Sequence, residues 1–232
     1  MSDKSVVQSN FFVKELYPYQ KTSIERIVSR LNQGPHNNNI LFQLPTGGGK
    51  TIIFSHIARE FIKETKKKVL ILTHRIELLH QTSSCLSGIG VDNFVVSSEV
   101  KEVEGPDAYY CFIAMVETLN NRLQDDPDFI QNVGLVIVDE AHNNSFRKIF
   151  QYFKNVNMLG VTATPLSSNR NLPLNKNYDE LIIGASILSL VDKHFLCKPT
   201  SYTYDVNLGA LRVGINGDYT VSSSERLYGG FD

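Results

Sequence analysis

Cysteine, net charge and long apolar runs are all scarce in this sequence. Its 232 residues include three cysteines, Cys85, Cys111 and Cys197, odd in number and far apart. No two have metal-ligand spacing, and a scattered odd set does not make a disulfide framework. Cys85 and Cys111 are expected to be buried, reduced packing residues. Lys and Arg number 23 and Asp and Glu 24, a formal charge of -1. That balance excludes the broad basic field of a dedicated nucleic-acid binder, so any nucleic-acid contact must come from local geometry. The longest apolar runs, such as Leu135 to Val138, fall far short of the roughly 20 residues that cross a bilayer. The polar opening MSDKSVVQSN has no apolar centre, so no secretory leader is expected. A cytoplasmic protein without membrane association is the expectation.

What remains is ordinary for a globular chain: 42% hydrophobic and 20% charged residues, enough to bury a substantial core. Short β-branched runs alternate with segments of helical spacing. Strands are predicted at Ile40 to Leu44, Val69 to Thr73, Phe94 to Ser97, Phe112 to Met115, Leu135 to Val138 and Met158 to Thr162. Helices are predicted after Lys50, over Arg75 to Leu86, from Met115 to near Leu123, and over Phe146 to Phe153. Continuous apolar strands separated by helices imply an α/β fold with a doubly wound, three-layer, mainly parallel sheet. Past Pro165 the pattern loosens into a polar loop, a helix over Ile187 to Phe195 and a last strand over Thr200 to Val206. The tail from Asn207 is glycine-rich, and no internal repeat is present.

Two motifs fall at predicted strand ends, where such sheets bind ligands. The first is Pro45-Thr46-Gly47-Gly48-Gly49-Lys50-Thr51, between an apolar strand and an amphipathic helix. Glycines let the backbone curl so that successive N–H groups face one anion, and the helix adds its positive dipole end. Lys50 is placed to reach the β- and γ-phosphates and the Thr51 hydroxyl to bind Mg²⁺. The strict pattern begins with glycine, where this chain has Leu44. The second is Asp139-Glu140-Ala141-His142, directly after the LVIV run. Asp139 is suited to hold Mg²⁺ and Glu140 to polarise the attacking water as general base. His142 is expected to face the neighbouring strand end and sense the γ-phosphate. An acidic turn capping the next helix is the alternative for the tetrad taken alone. The two motifs together point to nucleotide hydrolysis.

With Thr162-Ala163-Thr164-Pro165, these segments resemble motifs I, II and III of superfamily-two helicases. LYPYQ, LTHRIELLHQ, AMVETL, VDEAH and LGVTATP are most similar to the restriction-subunit and DNA-repair type of DEAH helicase, from about Leu16 to Pro165. The resemblance implies a first RecA-like domain over residues 1–206, with 207–232 beginning a linker to a second motor domain that the chain lacks. It implies that Gln20 contacts adenine. Tyr17 stands where the family usually has an arginine, and either stacks on the base or, with Tyr19, packs a helix entrance. Thr73, His74 and Arg75 match motif Ia, which touches the backbone of a bound strand, and Thr118 matches motif Ib. For Arg75 a solvated helix face, and for Thr118 plain helical packing, remain open. Thr162 and Thr164 match the pair that links nucleotide state to domain movement, although threonine also suits a strand that ends at a proline.

The implied function is an ATP- and Mg²⁺-dependent motor that moves on nucleic acid, DNA in preference to RNA, once joined to its second domain. That domain carries the arginine finger, a group worth about 10³–10⁵ in rate in related hydrolases. Two other readings use the same site: an ATP-switched nucleic-acid sensor or scaffold, and an ATPase with no nucleic-acid partner. ATPase stimulation that falls with salt separates the last of these.

Overall fold

In the computed structural model of the chain, which describes residues 15–33, 38–97, 109–202, 209, 211–214 and 219–228, the apolar runs are strands of one sheet. Helix α1 (Pro18–Asn32) leads into β1 (Asn39–Gln43), α2 (Lys50–Thr65), β2 (Lys68–Thr73), α3 (Ile76–Gly88) and β3 (Asn93–Val96). Then come β4 (Cys111–Met115), α4 (Val116–Asp125), β5 (Val133–Asp139), α5 (Arg147–Phe150), β6 (Asn157–Thr162), β7 (Glu180–Ile183) and α6 (Ile187–Asp192). The strand order is β3-β4-β2-β5-β6-β1-β7, and every pairing is parallel.

Strands this apolar are covered on both faces because alternate side chains point opposite ways. Val69 and Ile71 join Phe54, Ile57, Leu79 and Leu86 in the core under α1, α2 and α3. Leu70 and Leu72 join Leu119, Leu123, Phe146 and Ile149 in the core under α4 and α5. These two layers complete the three-layer fold. Because all strands run one way, their carboxyl ends share a rim, and the loops after β1, β2, β5 and β6 meet there.

Several elements differ from the sequence-based expectation. The helix predicted over Phe146 to Phe153 is a 3₁₀ turn at Asn144–Phe146 followed by the single turn α5. Its apolar spacing is helical, yet Tyr152 and Phe153 bond back only three residues, and Asn155 turns the chain with φ 61°. Strand β7 was hidden because only Ile182 of its four residues is buried, as befits an edge strand. Its pairing with β1 is bracketed by Asp179 N–H to Asn39 O at 2.8 Å and Gly184 N–H to Gln43 O at 2.9 Å. Helix α6 stops at Asp192, three residues before the expected end. Of the strand expected over Thr200 to Val206, residues 203–206 lie outside the described residues, and 200–202 are not extended in a sheet. Cys111 is buried as expected, Cys85 only half-buried, and Cys197 exposed.

Contacts divide the chain into two compact units, Met1–Leu196 and Cys197–Asp232. The second contains helix α7 (Val221–Tyr228), which lies inside the glycine-rich tail. Among the described residues, no helix is long and apolar enough to cross a membrane.

Gly160 on β6 has no room for a side chain, since a Cβ there would stand 2.5–2.7 Å from the ring of the buried Tyr178. Gly160→Ala is predicted to lower stability by about 1–3 kcal/mol, read from urea midpoints. Combined with Tyr178→Leu, it is predicted to cost less than the sum of the single changes; strict additivity would locate the strain elsewhere.

Candidate functional site

The loop after β1 continues the ladder for one residue, with Leu44 N–H donating to Thr162 O at 3.0 Å, and then curls. Gly48 N–H closes a turn on Pro45 O at 3.0 Å, and Gly47 and Gly49 take left-handed φ of 80° and 82°. Gly49 is the N-cap of α2, where its left-handed φ favours glycine, and Gln20 Nε2 lies 2.5 Å from where a Cβ would stand. Lys50 and Thr51 open the helix, so its unpaired N–H groups and dipole face the curl. Leu44, which departs from the strict motif, is fully buried beneath the loop, and a Cβ on Gly48 would approach its Cγ to 2.9 Å. The residue that breaks the pattern therefore packs the loop from below.

Facing this curl is the end of β5. Asp139 is 4% exposed, and its Oδ1 accepts the Glu140 N–H at 3.0 Å. Burial, and then the neighbouring Glu140 carboxylate, push its pKa up to about 6, against the opposing pull of Lys50. Glu140 has φ 53°, an uncommon conformation for a non-glycine residue and one that costs of order 1–3 kcal/mol. The turn aims its carboxylate between Lys50 Nζ at 3.9 Å and His142 Nδ1 at 3.4 Å. His142 Nδ1 also lies 3.0 Å from Thr162 Oγ1. That hydroxyl accepts Thr164 N–H at 3.1 Å and has one hydrogen for either the Thr164 carbonyl, at 3.1 Å, or His142. The tautomer of His142 decides which. The sheet thus brings Lys50, Asp139, Glu140, His142, Thr162 and Thr164 together from three strand ends.

The remaining expected residues lie along the same rim or beside the loop. Gln20 is buried, accepts Tyr17 N–H at 3.0 Å through Oε1, and turns its amide nitrogen to Gly49. Pro45 is buried and Thr46 exposed. Thr73 is buried, and its hydroxyl accepts Arg75 N–H at 3.5 Å. His74 has a buried Nδ1 with no hydrogen-bond partner, and burial, then the Arg75 charge, hold its imidazole below the usual pKa. Arg75 is exposed at the start of α3. Thr73 pairs with Met115, so Thr118 on the first turn of α4 is set on the next strand end, half-buried. A cavity of about 620 Å³ opens over Thr46, Gly47, Lys50, Thr51, Asp139 and Glu140. Two residues beside the loop had no sequence signal at all, Phe195 and Leu196, which follow α6 and lie against Tyr17, Tyr19 and Gly47.

The raised pKa of Asp139 gives a pH signature. A group protonated more readily in the folded state stabilises the fold fully below its unfolded pKa, and that contribution is lost as pH rises through the folded pKa. The metal-free protein is predicted to lose stability, by up to about 1.4 kcal/mol per pH unit from this group, between about pH 4 and about pH 6. Asp139→Asn is predicted to flatten that slope in urea titrations across the window; an unchanged slope would assign it to other groups.

Residues 13–167 match the family model of the type III restriction enzyme, res subunit. IRC3 of Saccharomyces cerevisiae is 30% identical over 227 residues, covering 89% of this chain and 32% of that protein. The ATP-dependent DNA helicase MPH1 of Scheffersomyces stipitis is 26% identical over 180 residues, 71% of this chain and 16% of its own. The chain therefore spans about a third or less of the length of these curated relatives. The solved type ISP restriction-modification enzyme LlaGI, a nuclease-deletion mutant in complex with a DNA substrate mimic, superposes with a TM-score of 0.60. It is 20% identical, covers 78% of this chain and 21% of that one, and bears on the fold alone. With the parallel sheet and its rim of motifs, the match shows that the chain belongs to the restriction-subunit family of superfamily-two helicases and forms their first RecA-like domain.

Proposed function

We propose that this domain binds ATP and, joined to a second RecA-like domain, drives a DEAH-type helicase or translocase along DNA. The observation that carries the reading is the meeting of the amide curl with the carboxylates of β5, where Lys50 Nζ stands 3.9 Å from Glu140. A lysine so placed has a partner while phosphates are absent and a better one when they arrive.

On this reading the N–H groups of the 46–51 loop other than Gly48, whose own N–H closes the turn on Pro45, take the triphosphate with the Lys50 ammonium, and Lys50 leaves Glu140 to do so. Glu140, relieved of that cation, accepts a proton from the attacking water as general base. Gln20 and Tyr17 take the adenine side. His142, Thr162 and Thr164 link occupancy at the γ-phosphate to the end of β6, the route by which the second domain is engaged. Thr73, His74, Arg75 and Thr118 contact the nucleic-acid strand along the rim. Residues 207–232 lead toward the second domain.

Mg²⁺ fits this donor set. Asp139 accepts a backbone N–H at one oxygen, and an ionised carboxylate has further lone pairs with which to hold a cation. Among the described residues no cluster of three or more His, Cys, Asp or Glu forms a protein cage for a metal. Mg²⁺ commonly binds through one or two carboxylates, phosphates and water, so Asp139 and the Thr51 hydroxyl suffice. Bound there, Mg²⁺ would neutralise charge on the β- and γ-phosphates. DNA is preferred to RNA because the matching MPH1 is named a DNA helicase. The near-neutral composition leaves contact to local geometry.

Lys50→Ala is predicted to abolish ATP binding by this chain in calorimetry. In the two-domain protein, Glu140→Gln is predicted to keep ATP affinity while cutting DNA-stimulated hydrolysis about 10²–10⁴-fold. Normal turnover by Glu140→Gln would remove it as the base, and hydrolysis indifferent to DNA at every salt concentration would remove the motor reading.

A further inference from the structure

Tyr17, Tyr19 and Phe195 form a cluster of three rings. Centroids lie 6.0 Å apart between Tyr17 and Tyr19, 4.6 Å between Tyr17 and Phe195, and 5.1 Å between Tyr19 and Phe195. The cluster is bonded to the phosphate loop at Gly48, and its chain neighbours Gln20 and Leu196 lie close to Gly49 and Gly47. The Tyr19 hydroxyl donates to Gly48 O at 2.9 Å. Gln20, which accepts the Tyr17 N–H, presses its amide on Gly49, and Leu196 Cδ2 lies 3.0 Å from the Cβ position of Gly47.

Phe195 reaches this place through the way α6 ends. His194 adopts a left-handed φ of 58°, and the N–H groups of Phe195 and Leu196 both donate to Leu190 O, at 2.8 and 3.0 Å. Such a C-terminal turn throws the next side chains back across the helix, here onto Tyr17 and Tyr19. Phe195 is half-buried, whereas Tyr17 remains 37% exposed. An aromatic ring held against two others with part of its surface open can serve as a stacking platform, stiff enough to cost little ordering entropy when a flat ring settles on it.

We propose that Phe195 is a positioning residue for nucleotide-base recognition: it backs Tyr17 so that the open surface of that ring receives the purine of a nucleoside triphosphate whose phosphates lie on residues 46–51. The inference rests on the reading of that loop as an ATP site and adds a residue outside the family match over 13–167. It also accounts for tyrosine at position 17: a phenol ring braced by Phe195 offers a stacking surface without a cation. The same contacts give a competing role, because Phe195 touches Tyr19 and Tyr19 holds Gly48; in that case Phe195 would merely shape the phosphate loop.

Affinity for ATP and for inorganic tripolyphosphate, each with Mg²⁺, separates the two roles by calorimetry on this chain. Phe195→Ala is expected to weaken ATP about tenfold, in line with the loss of one aromatic stacking support, and to leave tripolyphosphate within about twofold. Phe195→Tyr is expected to restore ATP affinity. Equal weakening of both ligands, or unchanged ATP affinity, would overturn the proposal. Binding of neither ligand by the unaltered chain would instead sink the ATP reading on which it rests. Should Phe195→Ala not fold, Phe195→Leu, which keeps an apolar side chain and removes the ring, decides by the same two affinities: weaker ATP with unchanged tripolyphosphate is expected, and equal weakening of both or unchanged ATP affinity would overturn the proposal.

Discussion

A buried carboxylate beside a lysine at the rim of a parallel sheet governs much else in this domain. Asp139 is nearly inaccessible and Glu140 sits in a strained turn, so the end of β5 is costly to maintain in isolation. Lys50 offsets part of that cost, and its position is fixed by the start of α2, which depends on the curl of Gly47 to Gly49. The curl depends in turn on Leu44 beneath it and on Gln20 beside it. Strain and burial gathered at one rim mark it as the candidate functional site of the domain.

The same economy of placement explains the His142, Thr162 and Thr164 group. Asp139 pairs with Val161, so Glu140 and Thr162 are the next residues out on neighbouring strands. A single hydroxyl then joins the β5 turn to the β6 turn through His142 and the Thr164 backbone. Glu140 stands 3.4 Å from His142 Nδ1, which lies 3.0 Å from Thr162 Oγ1 at the end of β6, a short physical path for the coupling proposed above.

Much of this was legible in the sequence, and the reasons are specific. The VLILT and LVIV runs could only be central strands, because nothing in them is polar enough for a solvated face. PTGGGKT and DEAH then had to sit at strand ends, since each follows such a run directly. What escaped was set by tertiary contact. Glu180 to Ile183 shows one buried residue and no clear alternation, so its pairing with β1 is fixed by partners 140 residues away. Phe146 to Phe153 has helical spacing but is shortened by tight turns around Asn155. Phe195 and Leu196 sit beside the phosphate loop because of how α6 ends, and no local pattern announces a contact with Tyr17 across the chain.

The central claim is that one pocket, built from the 46–51 curl and the β5 carboxylates, receives a nucleoside triphosphate. A crystal structure of this chain with a non-hydrolysable ATP analogue and Mg²⁺ tests it most directly. The β- and γ-phosphates are predicted to lie in the 46–51 curl, with Lys50 drawn off Glu140 and Asp139 turned toward the metal. A triphosphate bound elsewhere, or a Lys50 still paired with Glu140 beneath a bound nucleotide, would contradict it.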